Sequence, residues 1–460
     1  MGGFVRDDRC VSDYTVRVLR PDEHRAAAQL FRATLHVSGL TDEEWGYVEH
    51  AFQPGRTLGA YAVAGRSSPQ TALPSEGSTP GLRLGGRPPE RSAFRGFDPR
   101  TPTGGKPPDP LGGELIGTAR SFDADVTVPG GNRVPMAAVT GVGVRANRTR
   151  RGVLTELMRT QLRELHTRGV PVAMLYASEG RIYGRFGYGI ATRTRDYRVD
   201  RRRAVLRPEV PTGGEIDLLG VDGIFERLPR IYDALPHTRP GMMTRPPYWW
   251  AAFERHARKA ENPIVAAVHN GPDGPDGFVV YTTERSRHGD PGVLDVISMH
   301  AANAETFAGL WRYLLGVDLV DVIRLEGRPA DEPTALLFTD ARMCAPIAGE
   351  DDDAWLRLVD VPAALAAREY EGESVVIEVV DPVLEANSGR YLVSSGQVVR
   401  TGEPAGFRLG VDALAMLYFG AWRASALADT GWIQPIDPSS VARADRLFST
   451  RVAAWCGTHF

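Results

Sequence analysis

The stretch from Met136 to Gly189 decides how this chain is read. It opens M-A-A-V-T-G-V-G-V-R-A-N-R-T-R-R-G-V-L-T-E-L-M and closes, after a helix and a strand, with A-S-E-G-R-I-Y-G-R-F-G-Y-G. The short, small and β-branched run Ala138 to Val144 predicts a strand, and a polar, arginine-rich turn leads from it into an amphipathic segment. Val153, Leu154, Leu157, Met158, Leu162 and Leu165 recur at the spacing of one buried helical face, which Gly169 and Pro171 bring to an end. The first helical turn, Arg150 to Thr155, therefore presents unpaired backbone N–H groups and the positive end of the helix dipole beside Arg148, Arg150 and Arg151. Gly152 removes a side chain where an anionic ligand would approach the backbone. The stretch has neither the G-x-x-x-x-G-K-[ST] of a nucleotide-hydrolysing loop nor the three spaced glycines of a dinucleotide fold.

Working outward, the 460 residues are too many for one ordinary core and suggest about three domains. A net charge of −3 argues against a nucleic-acid binder, and the arginines between 145 and 151 are too local to track a phosphate backbone. No apolar run is long enough to span a membrane. Acids interrupt the N-terminus where a signal peptide needs an apolar core, so a cytoplasmic protein is expected. Cys10, Cys344 and Cys456 are odd in number and far apart, which suggests neither a disulfide framework nor a metal site.

Residues 1–13 read as a polar tail, followed by a strand at Tyr14 to Leu19 and a helix through Phe31 and Leu35. Thr41, with Glu44 three residues on, predicts a capping box at the next helix. Residues 66–112, rich in Pro, Gly, Ser and Arg, read as a disordered insertion. Strands at Leu115 to Val126 and Val172 to Ala177 complete an α/β unit over 14–207. Residues 208–347 repeat the theme without an arginine-and-glycine turn. An acidic linker, E-D-D-D, then leads to a third α/β unit over 354–460, with strands by alternation, a helical spacing from Asp412 to Leu427, and Pro362 in the first turn of a helix. The terminus R-V-A-A-W-C-G-T-H-F carries Trp455 and Phe460 and is expected to dock.

The arginine turn resembles the acetyl-CoA loop of the GNAT acetyltransferases, although Thr149 stands where Arg or Gln is usual and Leu154 where a small residue is usual. With A-S-E-G-R-I-Y-G-R-F-G-Y-G, V-D-V-P-A-A-L-A-A-R and the aromatic terminus added, the chain resembles more narrowly the Eis (enhanced intracellular survival) acetyltransferases of actinobacteria. The resemblance implies a GNAT domain, a degenerate GNAT-like domain and a sterol-carrier-like C-terminal domain, assembled as a homohexamer, a trimer of dimers. It implies that Val142, Gly143 and Val144 pair with the pantetheine arm of acetyl-CoA. Arg150, Arg151, Gly152, Val153, Leu154 and Thr155 would hold its pyrophosphate, with Ser178 and Glu179 also lining the cofactor. Tyr183 falls on the family's general acid, and the free carboxylate of Phe460 on its base. His36, as pocket wall or catalyst, and Trp45, as pocket or core aromatic, are candidate acceptor-pocket residues.

The implied activity is transfer of acetyl to a primary amine of aminoglycoside, polyamine or lysine type by direct attack in a ternary complex. A phenol with a reference pKa of about 10 can protonate the leaving thiolate, whereas a terminal carboxylate at roughly 3.5 needs burial or a relaying water to act as a base. The alternative, kept open by Thr149, is a lipid or acyl-ligand carrier using the C-terminal domain beside a degenerate transferase site.

Overall fold

The computed structural model describes residues 13–63, 113–285 and 290–460. The expected insertion at 66–112 lies wholly outside them, as does the expected tail at 1–13 but for Asp13.

The first part of the chain contains β1 (Tyr14–Val18), α1 (His24–Thr34), α2 (Asp42–Val48), β2 (Thr57–Ala62), β3 (Leu115–Thr127), β4 (Arg133–Val144), α3 (Val153–Thr167), β5 (Val172–Tyr176), α4 (Gly180–Tyr183), β6 (Gly189–Ile190) and β7 (Arg193–Asp200). Local chemistry explains the boundaries. Thr41 accepts a hydrogen bond from Glu44 N while the Glu44 side chain returns to the Thr41 backbone, the reciprocal cap expected from the sequence. Leu157, Met158, Leu162 and Leu165 on α3 are fully buried, as their spacing predicts.

There follow β8 (Glu215–Leu219), α5 (Val221–Ala234), α6 (Pro247–Lys259), β9 (Ile264–Gly271), β10 (Gly274–Glu284), β11 (Val293–Ala301), α7 (Ala304–Gly316), β12 (Val322–Pro329) and β13 (Cys344–Asp352). The last part holds β14 (Ala354–Leu358), α8 (Val361–Ala367), β15 (Val375–Val380), β16 (Gly389–Val393), β17 (Val398–Arg400), β18 (Phe407–Gly410), α9 (Val411–Tyr418), α10 (Ala424–Asp429), β19 (Ile433–Pro435) and α11 (Pro438–Leu447). The strands form two seven-stranded sheets and one five-stranded sheet, in the orders β1-β2-β3-β4-β5-β14-β6, β13-β7-β12-β11-β10-β9-β8 and β17-β16-β15-β18-β19.

Two of these strands cross the borders that the sequence suggests. β14, read with the third unit, inserts antiparallel between β5 and β6 of the first sheet, and β7, read as the end of the first unit, lies between β12 and β13 of the second. The acidic E-D-D-D run is not a linker. Glu350, Asp351 and Asp352 pair with Arg195, Thr194 and Arg193 of β7, and Glu350 bridges both arginines, because opposite charges across a strand pair favour that register. The helical spacing from Asp412 to Leu427 is likewise interrupted. Gly420 takes φ +77°, where a Cβ would lie 2.7 Å from the Thr450 hydroxyl, so α9 stops and α10 begins after a turn.

One core joins the first sheet to the last part of the chain. Phe122, Met136, Ala138 and Met174 pack with Leu365, Ile377, Leu414 and Leu417. The opposite face of the first sheet, with Ala137, Val139, Ala173 and Leu175, packs on α3 and around Tyr183.

Candidate active site

β4 runs alongside β5 only from Met136 to Ala138, opposite Val172 to Met174. β4 then continues to Val144 while β5 pairs with β14 through Leu175 and Tyr176, so the strands part and the edge of β4 from Val139 to Val144 has no strand partner on that side among the described residues. A bulge sits at this place. β4 carries one extra residue between Thr140, opposite Arg120, and Gly143, opposite Thr118, and Gly141 adopts φ +62° to accommodate it. The edge carrying Val142, Gly143 and Val144 can thus receive an extended amide-bearing ligand by strand addition.

The turn after β4 ends at Gly152, which caps α3 at φ +83° with no side-chain hydrogen bond. A Cβ there would lie 3.1 Å from the Tyr14 hydroxyl. The N–H groups of Val153, Leu154 and Thr155 precede the first intrahelical bond, from Glu156 N to Gly152 O, and point out of the helix start. Of the four arginines in this turn, Arg145 and Arg148 pair with Glu114, whereas the exposed Arg150 and half-buried Arg151 form no ion pair among the described residues. Arg150 is also held at φ +61°, unusual for a residue with a Cβ. The Thr149 hydroxyl donates to Ala146 O at 3.1 Å and so tightens the turn itself. These residues fit a diphosphate-bearing ligand, since free guanidinium groups and an uncapped helix start converge at one end of the open β4 edge.

Ser178 and Glu179 are exposed on the loop that enters the short helix α4. Tyr183 closes that helix, buried to 6% exposure, its ring edge-on to Tyr188 with centroids 6.0 Å apart. Burial, with the nearby Glu179 charge, pushes the Tyr183 phenol up to about 12. It therefore remains a proton donor throughout the neutral range.

The terminus is strapped across the first two parts of the chain. Trp455 N donates to Pro240 O and its indole to Gly327 O; Tyr176 Oη donates to Thr458 O at 3.0 Å; Trp249 Nε1 donates to His459 O at 2.8 Å. Buried Arg245 donates to Thr458 Oγ1 and Gly457 O, its guanidinium lying over the rings of Tyr232 and Trp249. The Phe460 ring meets Phe122 at 5.5 Å and Tyr176 at 5.1 Å, both edge-on. Phe122 lies opposite Ala138, the last β4 residue paired with β5, which puts Phe460 at the mouth of the split. Tyr183 belongs to the core on the other face of the sheet. The two groups therefore lie on opposite faces of the first sheet.

Trp45 is half-buried and tilted on Phe52 at 5.6 Å, and Phe52 stacks on His24 at 4.9 Å. His36 is exposed just beyond α1, at φ +58°. Burial lowers the His24 pKa, so its ring is neutral at ordinary pH. Sequence reading did not single out Arg120, Phe122, Tyr176, Arg245 or Tyr248. Only Arg120 left a sequence signal, a charge inside the otherwise small and apolar run I-G-T-A-R-S-F. Among the described residues no cluster of His, Cys, Asp and Glu could hold a metal ion, and no helix is long and apolar enough to cross a membrane.

Comparison with known proteins matches residues 109–191 and 241–358 to acetyltransferase (GNAT) domain families and residues 361–457 to a sterol carrier protein domain family. N-acetyltransferase Eis of Mycobacterium tuberculosis is 34% identical over 366 residues, 74% of this chain and 85% of the relative. An uncharacterized N-acetyltransferase of Streptomyces coelicolor is 36% identical over 354 residues, 74% of this chain and 84% of the relative. The crystal structure of Eis1 from Mycobacterium abscessus superposes with a TM-score of 0.79 at 36% identity, covering 97% of this chain and all of that one. At 17% identity, a GCN5-related N-acetyltransferase from Anabaena variabilis shares the fold with a TM-score of 0.75 and the same 97% coverage of this chain.

Proposed function

The chain belongs to the Eis family of GNAT N-acetyltransferases, and on that premise we propose that it moves acetyl from acetyl-CoA directly to a primary amine in a ternary complex. The observation that carries this reading is the placement of Tyr183 and Phe460 on opposite faces of the first sheet, with Phe460 packed beside the parting of β4 and β5. Acetyl-CoA, when bound, supplies an acetyl group activated as a thioester. Val142, Gly143 and Val144 would pair with its amide-bearing arm, and Arg150, Arg151 and the α3 start from Gly152 to Thr155 would hold its diphosphate, with Ser178 and Glu179 alongside.

Two proton movements are required. The amine must be neutral to attack, so the Phe460 carboxylate accepts its proton, directly or through a water. The departing sulfur gains a proton, and Tyr183, its phenol held at about 12, donates it. Aminoglycosides, polyamines and lysine side chains are the acceptor classes to screen, with release of free CoA thiol as readout. The resemblance also supports a cytoplasmic homohexamer, a trimer of dimers, which sedimentation measures.

Tyr183→Phe tests the acid. Turnover should fall by about 10²–10⁴ while acetyl-CoA affinity, measured by calorimetry, changes little. Wild-type turnover in that variant removes Tyr183 from the mechanism.

A further inference from the structure

Arg120 stands at the meeting point of the acceptor-pocket candidates and has no counterion among the described residues. It lies on β3 opposite Thr140, beside the bulge at Gly141, where a Cβ would come within 3.6 Å of its Nε. Two residues on and so on the same face of the strand is Phe122, whose ring touches both Phe460 and Tyr248. The Arg120 guanidinium lies 4.5 Å over the ring of Phe52, which in turn packs on Trp45. It thus spans from the Trp45 side of the pocket to the Phe460 side, where the parted strands would present the thioester.

Its bonding is incomplete. One N–H reaches Ala51 O at 3.2 Å, and it makes no ion pair among the described residues. The carboxylates on neighbouring elements are already engaged, Asp123 by Arg56, Glu23 by Arg17 and Glu44 by Arg255. A half-buried guanidinium with five fixed donors, one of them used among the described residues, is matched in shape to a planar carboxylate. Toward an acceptor that is only cationic, the same group is repulsive.

Resting on the acetyltransferase reading above, we propose that Arg120 selects acceptors bearing a carboxylate on the same molecule as the reactive amine. The acceptor class is amino-acid-like, and Arg120 pairs with its carboxylate while the amine is directed toward the split between β4 and β5. Burial lowers the Arg120 pKa to about 10, which leaves it charged at neutral pH.

The test compares lysine and ornithine with their amides, in which only the carboxylate is neutralised, and with cadaverine and putrescine, which lack it. The wild-type protein should favour the free acids in kcat/KM by about 10- to 100-fold, expressed in KM, as expected for a charge-assisted pair. In Arg120→Gln the ratio of acid to amide should fall to about one, and Arg120→Lys should restore part of it. Equal or better use of the amides by the wild-type protein overturns the proposal without reference to any variant. So does failure of every carboxylate-bearing amine although acetyl-CoA binds. In that case a wider amine screen separates the causes: acetylation of an uncarboxylated amine leaves the acetyltransferase reading standing, and acetylation of none removes both.

Discussion

Asp381 holds a fully buried ion pair within the core that joins the first sheet to the last part of the chain. The side chains of Arg357, on β14, and Asp381 are completely buried, and Arg357 Nη2 donates to Asp381 Oδ2 at 2.6 Å. Asp381 also accepts from Val383 N, Leu384 N and Asn387 Nδ2, so its oxygens are fully engaged. Asp381→Ala strands a buried guanidinium and should cost about 3–5 kcal/mol, read as a lower urea midpoint. Replacing Arg357 and Asp381 together by apolar residues should cost less, since no unpaired charge remains. Sequence reading offers no sign of this pair, because residues 24 positions apart are brought together only by the insertion of β14 into the first sheet. The sequence singled out Tyr183 through its setting between glycines and through the family resemblance, whereas Tyr176 and Tyr248 lay in ordinary apolar strand and helix patterns.

At the scale of the element, the passage from β4 through the arginine turn to α3 was legible because each step has a local cause. A β-branched run favours extended backbone, the glycine permits a left-handed residue, and the apolar spacing marks a buried helical face. Gly152→Ala tests the turn. The new Cβ meets both an unfavourable φ of +83° and the Tyr14 hydroxyl at 3.1 Å. A stability loss of about 1 kcal/mol is expected from the backbone alone. Acetyl-CoA should bind several-fold more weakly by calorimetry, because any shift of the turn moves the α3 N–H groups; unchanged affinity would show that they do not hold the diphosphate. Two elements were misread for identifiable reasons. Charge density suggested a linker at E-D-D-D, but Arg193 and Arg195 on the facing strand make those acids favourable in β13. Periodicity carried the helix from Asp412 past Gly420, but close contact with Thr450 requires the turn there.

In the whole molecule, the C-terminal strap makes the site depend on all three parts of the chain. Tyr176 comes from the first sheet, Arg245 and Trp249 from the region before and within α6, and the strap itself follows the last domain. Residues added after Phe460 convert its carboxylate to an amide and crowd Phe122 and Tyr176. Acetyl transfer should fall by at least tenfold, on the order of the loss of one general base, while acetyl-CoA affinity is retained. Full activity with such an extension would refute the proposed role of the terminus.

By itself the sequence determined the elements whose causes are local. They include the capping box at Thr41, the arginine turn, the buried face of α3 and an apolar terminus able to dock. Only the tertiary structure decided which of them meet. The parting of β4 from β5, β14 within the first sheet, the terminus beside Phe122 and the seat of Arg120 over Phe52 all follow from long-range strand pairing and packing. Periodicity reports how often a side chain is buried along its own element, and carries no record of which distant element covers it.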